Sequence, residues 1–79
     1  MPPAASEVAH YHQTARQFFY VLSGSLTIEI EGKDHCLSTG DGIAVLPTLH
    51  HRAYNPGSTD NRFLVISSPT TQGDRVDQK

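Results

Sequence analysis

The sequence predicts an all-β domain, either a sandwich or a barrel, and three observations carry this prediction. Apolar and polar residues alternate over short runs, most clearly over residues 26–31. Glycine, proline, asparagine and aspartate separate these runs, as turn residues do. No stretch of helical length shows the apolar period of a helix. Short strands joined by tight turns are typical of two packed sheets.

The chain is predicted to consist of a barrel with a segment at each end. Residues 1–8 are rich in proline and alanine and are predicted to be a flexible N-terminal segment. Residues 9–68 form the barrel, and residues 69–79 form a polar C-terminal tail or an arm that reaches a dimer partner. The strands predicted within the barrel are an extended segment at His10 and then 17–23, 26–31, 35–37, 43–46, 51–55 and 62–67.

Alternation assigns the side chains of residues 26–31 to two faces. The core-facing set is Leu26, Ile28 and Ile30, and the solvent-facing set is Thr27, Glu29 and Glu31. Residues 43–46 are continuously apolar, which predicts a strand buried on both faces that ends at Pro47. The inner wall of the barrel is expected to include Phe19, Val21, Ile28 and Ala53, with Phe63 or Val65 as further candidates.

Composition excludes several classes of protein. With 79 residues, six Lys and Arg and a net charge of −2, the chain forms one small domain without a broad basic surface for nucleic acid. No apolar run approaches the roughly 18 residues that cross a bilayer. The first residues lack the features of a signal peptide. We therefore expect no nucleic-acid or membrane partner and a cytoplasmic location.

A core of this size is marginal without a disulfide, a metal or a second subunit. Cys36 is the only cysteine, so an internal disulfide is excluded, and a metal and a partner subunit remain. Cys36 itself is expected to be a small buried apolar residue, with a reactive thiol in the cavity as the alternative.

Candidate metal-binding side chains are concentrated in residues 10–17. His10 and His12 are separated by one residue, so an extended backbone places both imidazoles on the same face. Gln17 begins the next strand, and the side chains of Gln17 and Phe19 point to the same face of it. Two imidazoles and an amide oxygen can therefore meet beside an apolar wall. A third imidazole would complete a metal site.

Two groups of residues resemble the two motifs of the cupins, a family of small β-barrels. In the first group, His10-Tyr11-His12 is followed after four residues by Gln17, which stands at the position of the family's Glu. Gly24 then occupies the position of the motif's final Gly, and Ala4 replaces its leading Gly.

The second group begins at Gly40 and places His51 and Asn55 at the spacing of the family motif. Leu46 and Thr48 replace a Pro and a Gly of that motif. The resemblance covers residues 4–55 and implies a minimal jelly-roll barrel, the double-stranded β-helix.

The resemblance also implies a metal site with four ligands, His10, His12, Gln17 and His51. The metals to be expected are Fe, Mn, Ni, Zn, Cu or Co. Because Gln17 is uncharged where most cupins carry a carboxylate, the site keeps the full charge of a divalent metal. Such a site should be a stronger Lewis acid and should hold the metal less tightly.

Few residues precede His10, whereas most cupin domains carry one or two further strands there. Missing strands leave sheet edges unpaired, and unpaired edges favour pairing with another chain. A homodimer that completes the barrel is therefore expected.

Two functions are compatible with these features. The first is a metal-dependent enzyme, a dioxygenase or an isomerase, that acts on a small molecule. The alternative is a non-catalytic module that binds a small, sugar-like ligand without a metal. Since Glu29 and Glu31 face outward, the cavity lacks a carboxylate for acid–base work, which favours metal-centred redox chemistry or simple binding.

The remaining histidines are expected outside the site. His50 adjoins His51 and points to the opposite face, on the surface or at the cavity mouth. His35 lies in a hairpin and is expected in solvent, and Tyr11 is expected to face away from the cavity.

Overall fold

The computed structural model describes residues 1–68 and 75–77, and these contain eight strands and no helix. The strands are β1 (His10–His12), β2 (Arg16–Ser23), β3 (Ser25–Ile30), β4 (Lys33–Ser38), β5 (Gly42–Val45), β6 (His51–Tyr54), β7 (Arg62–Ser68) and β8 (Arg75–Asp77). The all-β prediction is confirmed. In the described part of the chain, no helix has the length and apolarity needed to cross a membrane.

The strands form two antiparallel sheets around one core. The larger sheet has the order β4-β3-β6-β1-β8, and the smaller has the order β5-β2-β7. Alternate residues of each sheet point inward, as the pleat requires. The buried apolar side chains of the core are Phe19, Val21, Leu26, Ile28, Leu37, Val45 and Ala53. The predicted inner wall is therefore confirmed at Phe19, Val21, Ile28 and Ala53, while Phe63 is half-buried and Val65 is exposed.

The turn between β2 and β3, which leads the chain from the smaller sheet to the larger one, depends on Gly24. Its φ of +79° favours glycine, and a Cβ there would lie 3.1 Å from the Cβ of Asn61. Asn61 is buried and donates from Nδ2 to the carbonyl oxygen of Ser25 at 2.6 Å. The backbone carbonyl oxygen of Asn61 accepts from the amino group of Met1 at 3.0 Å. This turn is thereby tied to the start of the chain.

Strand β5 is an edge strand, and the prediction that it is buried on both faces is wrong. Val45 is buried and Ile43 half-buried, whereas Ala44 and Leu46 are exposed. The strand pairs with β2 at the edge of the smaller sheet, so only its inward face meets the core. An apolar run does not reveal whether anything covers its second face.

Thr27 is buried, although alternation predicted it in solvent. It points to the outer face of β3, where its cross-strand neighbours are Cys36 and Tyr54. Its hydroxyl donates to the Cys36 sulfur at 3.9 Å. Cys36 is exposed, so the expected burial of this thiol is wrong. The neighbouring strands, and not the polarity of the residue, decide the exposure of Thr27.

Residues 1–8 lie along β6, which differs from the flexible segment expected there. Glu7 donates its backbone N–H to the carbonyl oxygen of Ala53 at 2.9 Å, and the N–H of Asn55 donates to the carbonyl oxygen of Ala5 at 3.0 Å. The Glu7 carboxylate accepts from the Ala53 N–H at 3.0 Å. Backbone pairing of this kind needs no apolar alternation, so the sequence pattern carried no sign of it.

Residues 75–77 of the expected C-terminal tail or dimer arm form β8, which pairs with β1 of the same chain. The rest of that tail, residues 69–74 and 78–79, lies outside the described residues. Because β8 covers the free edge of β1, the edges that remain in the described part of the barrel are β4, β5 and β7, besides β8 itself. The domain boundaries and the dimer remain predictions.

Truncating a core valine should destabilise the protein far more than truncating a surface valine. Val21 is fully buried, whereas Val8 is 57% exposed. Val21→Ala removes two buried methyl groups and leaves a cavity, and we expect it to lower the free energy of unfolding by about 2.5 kcal/mol. Val8→Ala should change it by less than about 0.5 kcal/mol. Urea unfolding of the two variants checks this, and equal losses would contradict the placement of the core.

Candidate metal centre

Three histidines meet inside the barrel. His10 and His12 lie on β1 and His51 lies on β6, where His51 pairs directly with His10. All three are buried, and each offers a ligand nitrogen within 4.8 Å of the other two. The ring centroids of His10 and His51 are 4.4 Å apart. The structure thus brings together the three predicted imidazoles, which come from two distant parts of the sequence.

Backbone carbonyl groups hold two of these rings. The Nδ1 of His10 lies 2.8 Å from the carbonyl oxygen of Val8, and the Nδ1 of His51 lies 3.1 Å from that of Leu49. A carbonyl oxygen can only accept, so each Nδ1 carries the proton and donates it. In the neutral ring the lone pair is then on Nε2, the nitrogen that would bind a metal.

Gln17, the fourth predicted ligand, lies beside His51. It is buried, its Oε1 is 3.0 Å from the Nε2 of His51, and its Nε2 donates to the Ser67 hydroxyl at 3.3 Å. With the His51 proton on Nδ1, its Nε2 lone pair faces the Gln17 amide. Three neutral imidazoles are a donor set that fits a divalent transition metal.

The surroundings favour the neutral form of His51. Burial lowers the pKa of His51 below its ordinary value of 6.5, and the neighbouring His10 and His12 lower it further. The hydrogen bond to Leu49 and the charge of Glu7 raise the pKa, but the net shift is downward. A neutral imidazole binds a divalent metal without first releasing a proton.

The wall beside the histidines is apolar. The Phe19 ring meets the His51 ring edge-on at 6.2 Å and also lies 6.2 Å from the Phe63 ring. Over residues 1–68 no Asp or Glu side chain is fully buried. Glu7 is half-buried and its charge acts on His51, so one carboxylate lies near the centre.

Several residues of the site were not anticipated from the sequence. Ser67 meets Gln17 because β2 and β7 pair with these two residues opposite each other. The carbonyl groups of Val8 and Leu49 carry no signal in the sequence, since any residue type supplies one. Glu7 was missed because the segment before His10 was expected to be loose.

The other histidines lie outside the metal centre. His50 stacks on Tyr11 with ring centroids 4.7 Å apart, and both point away from the imidazole cluster, as predicted. His35 is half-buried on the core side of β4, opposite Ile28, and is therefore less solvated than expected.

A depression of about 370 Å³ lies against the outside of the larger sheet. Its lining includes Glu29, Glu31, His50 and Arg52 and also the candidate ligand His51, and the Nε of Arg52 forms an ion pair with Glu29 at 3.1 Å. Within the described residues, the group of side chains arranged to hold a metal is the His10, His12 and His51 cluster.

The family of the chain follows from this fold and from a sequence match. The sequence model of the cupin domain family matches residues 1–67. The chain belongs to the cupin family. The jelly-roll, or double-stranded β-helix, architecture implied by the two motifs is confirmed by cupin structures with the same fold.

Similar proteins carry different chemistries. The chain is 36% identical over 73 residues to the oxidoreductase AOL_s00215g277 of Arthrobotrys oligospora, covering 87% of the chain and 29% of that protein. A sugar phosphate isomerase of the cupin superfamily from Silicibacter pomeroyi has a TM-score of 0.78 at 26% identity, over 89% of the chain and 46% of that structure. A predicted oxalate decarboxylase from Thermotoga maritima has a TM-score of 0.79 at 30% identity, over 85% of the chain and 58% of that structure. The chain thus spans only part of each relative.

Changing Gln17 to Glu should tighten metal binding. A carboxylate beside three imidazoles adds a negative charge next to a divalent cation, and after its desolvation cost we expect a gain in affinity of about 10-fold. Gln13→Glu is a matched control, since Gln13 is exposed and lies before β2. Competition titration with a chelator measures both affinities. A Gln17→Glu affinity equal to that of the control would mean that Gln17 is not a ligand.

Proposed function

We propose that this cupin binds a divalent transition metal through His10, His12, His51 and Gln17 and acts on a small oxygen-bearing molecule. One observation carries the proposal: the ligand nitrogens of three buried imidazoles lie within 4.8 Å of one another, with the Gln17 amide 3.0 Å from the Nε2 of His51. A metal there would also supply the stabilisation that a small core needs.

The bound metal would supply Lewis acidity and, for Fe, Mn, Ni, Cu or Co, redox chemistry. The residues of the chain have separate tasks around it. The carbonyl groups of Val8 and Leu49 orient their imidazoles, and Ser67 holds the Gln17 amide. Phe19 shields the His51 side of the centre from water.

The reaction class that we favour is oxidation of the small molecule, with isomerisation as the second possibility. The oxidoreductase of Arthrobotrys oligospora supports the first and the sugar phosphate isomerase of Silicibacter pomeroyi the second. Isomerisation by proton transfer needs an acid or base. The carboxylate whose charge acts on His51, that of Glu7, already accepts from the Ala53 N–H, and we therefore place oxidation first.

A non-catalytic module that binds a small, sugar-like ligand without a metal is the alternative function. A cytoplasmic location, in keeping with the single cysteine of the chain, and a homodimer complete the proposal.

An oxygen-uptake assay distinguishes these functions. The protein is stripped with a chelator, reloaded with Fe(II), and mixed with a panel of oxalate, sugar phosphates and dihydroxy aromatics. We expect oxygen uptake with at least one compound and none with His12→Ala. Product analysis of the same mixtures detects isomerisation. If the loaded protein turns over no compound but one of them raises the melting temperature of the metal-free protein, the binding module is correct. If no metal loads, the proposal fails.

A further inference from the structure

The segment that leads into β1 contains a β-bulge where it runs along β6. His10 lies opposite His51, and a regular antiparallel register continued from this pair would bring Ser6 opposite Asn55. The structure instead pairs Ser6 with Tyr54. The segment therefore holds one residue more than the part of β6 that it faces, which defines a bulge. Bulges are frequent beside active sites, where they change the direction of a side chain.

The Glu7 carboxylate closes this bulge. The backbone N–H of Glu7 donates to the carbonyl oxygen of Ala53 at 2.9 Å, as in a regular ladder. In a regular hydrogen-bonded pair the N–H of Ala53 would donate back to the backbone carbonyl of Glu7. Here it donates to the side-chain Oε1 of Glu7 at 3.0 Å. The carboxylate thus replaces a backbone acceptor and satisfies the N–H of a fully buried residue.

The bulge also explains how the carbonyl group of Val8 reaches His10. In a regular strand the backbone carbonyls lie in the plane of the sheet and the side chains stand perpendicular to it, so a carbonyl does not reach a ring two residues later. The Val8 oxygen nevertheless lies 2.8 Å from the Nδ1 of His10. The equivalent carbonyl beside His51, that of Leu49, belongs to the loop before β6. Both contacts depend on backbone that has left the regular sheet.

We propose that Glu7 is a positioning residue of the metal centre. Its carboxylate holds the bulge, and the bulge directs the Val8 carbonyl to His10. That carbonyl keeps the imidazole proton on Nδ1 and leaves the lone pair of Nε2 for a metal. Glu7 acts through the backbone and is not itself a ligand. Its effect on metal binding rests on the proposed function, whereas its effect on the His10 ring does not.

Two substitutions separate the hydrogen bond of Glu7 from its charge. Glu7→Gln keeps an acceptor oxygen at the same reach and removes the charge, whereas Glu7→Asp keeps the charge but is one methylene too short. Competition titration with a chelator measures the affinity of each variant for Co(II). We expect Glu7→Asp to lose at least about 10-fold, as for loss of an outer contact to a metal ligand, and Glu7→Gln to stay within about 3-fold of the native protein.

Asp41→Ala is the matched control. The Asp41 carboxylate also accepts from a backbone N–H, that of Ser38 at 2.9 Å, but in the turn between β4 and β5. Its loss should leave the metal affinity at the native value. An equal loss in Asp41→Ala and Glu7→Asp would mean that any weakening of the barrel lowers the affinity, and this would overturn the positioning role.

The tautomer of His10 in the metal-free protein is the second readout. Ring-nitrogen chemical shifts from NMR, measured at a pH where the imidazoles are neutral, distinguish a proton on Nδ1 from one on Nε2. We expect the proton on Nδ1 in the native protein and in Glu7→Gln, and a mixture of both tautomers in Glu7→Asp. His51, which Leu49 holds, should keep its tautomer in every variant and is the internal control. Circular dichroism confirms that each variant is folded.

Loss of affinity and of the single His10 tautomer in Glu7→Asp, with both restored in Glu7→Gln, supports the proposal. A native tautomer in Glu7→Asp overturns it, whether or not the protein binds metal. A loss of affinity in Glu7→Gln that Glu7→Asp does not share also overturns it, since the charge of Glu7 is then what matters. If the native protein binds no metal but Glu7→Asp still alters the His10 tautomer, the proposed function fails and the positioning of His10 stands.

Discussion

His51→Ala should abolish specific metal binding. The substitution removes the predicted ligand that β6 supplies opposite His10 of β1. It also removes the imidazole that lies beside the Oε1 of Gln17. Loss of an outer contact to a metal ligand already costs up to about 100-fold in affinity, so loss of a ligand should cost at least that much. The melting temperature of the variant should then no longer rise when Co(II) or Zn(II) is added.

His50→Ala is the matched control for this experiment. His50 is the neighbouring histidine, yet its ring stacks on Tyr11 outside the barrel. The control should bind metal with native affinity and keep the metal-induced rise in melting temperature. Equal loss of binding in both variants would mean that the metal responds to surface histidines, and the assignment of the centre would be wrong.

Asn55→Ala should cause the largest loss of stability among polar substitutions. Asn55 is buried and donates from Nδ2 to the carbonyl oxygens of Met1 and Thr59 at 2.9 and 2.8 Å. Its Oδ1 accepts from the N–H of Gly57 at 2.9 Å. Alanine would leave these three groups without their partner, and we expect the free energy of unfolding to fall by about 3 kcal/mol.

Urea unfolding of the metal-free protein measures this loss. Thr59→Ala is the control, because Thr59 is exposed and its contact to Asn55 uses the backbone carbonyl, which alanine retains. The control should lose less than about 1 kcal/mol. A loss below that value in Asn55→Ala would show that this residue does not hold the loop after β6 to the start of the chain.

Local patterns in the sequence were sufficient to predict β1 to β7 and half of the metal centre, whereas β8 lies in the segment predicted to be a tail or dimer arm. Alternation fixed the faces of β2 and β3, and the spacing of His10 and His12 put both imidazoles on one face. The third histidine followed from the resemblance to the cupins, because no local pattern links residue 51 to residue 10. In the structure, His10 and His51 lie directly opposite each other on the paired strands β1 and β6.

The features that were missed depend on which strands are neighbours. Thr27 is buried by β4 and β6, and β5 is exposed because it lies at an edge. Ser67 reaches Gln17 only through the pairing of β2 with β7. Each of these facts concerns the arrangement of strands in a sheet, which the pattern within a single strand does not encode.

An anomalous difference map from a crystal of the protein loaded with Co(II) tests the metal centre most directly. We expect one strong peak inside the barrel, within bonding distance of the Nε2 atoms of His10, His12 and His51 and of the Oε1 of Gln17. Such distances are about 2.0–2.2 Å for nitrogen and oxygen ligands of metals of this kind. A peak at other side chains, or no peak between these three histidines in protein exposed to excess metal, would contradict a metal centre at this position.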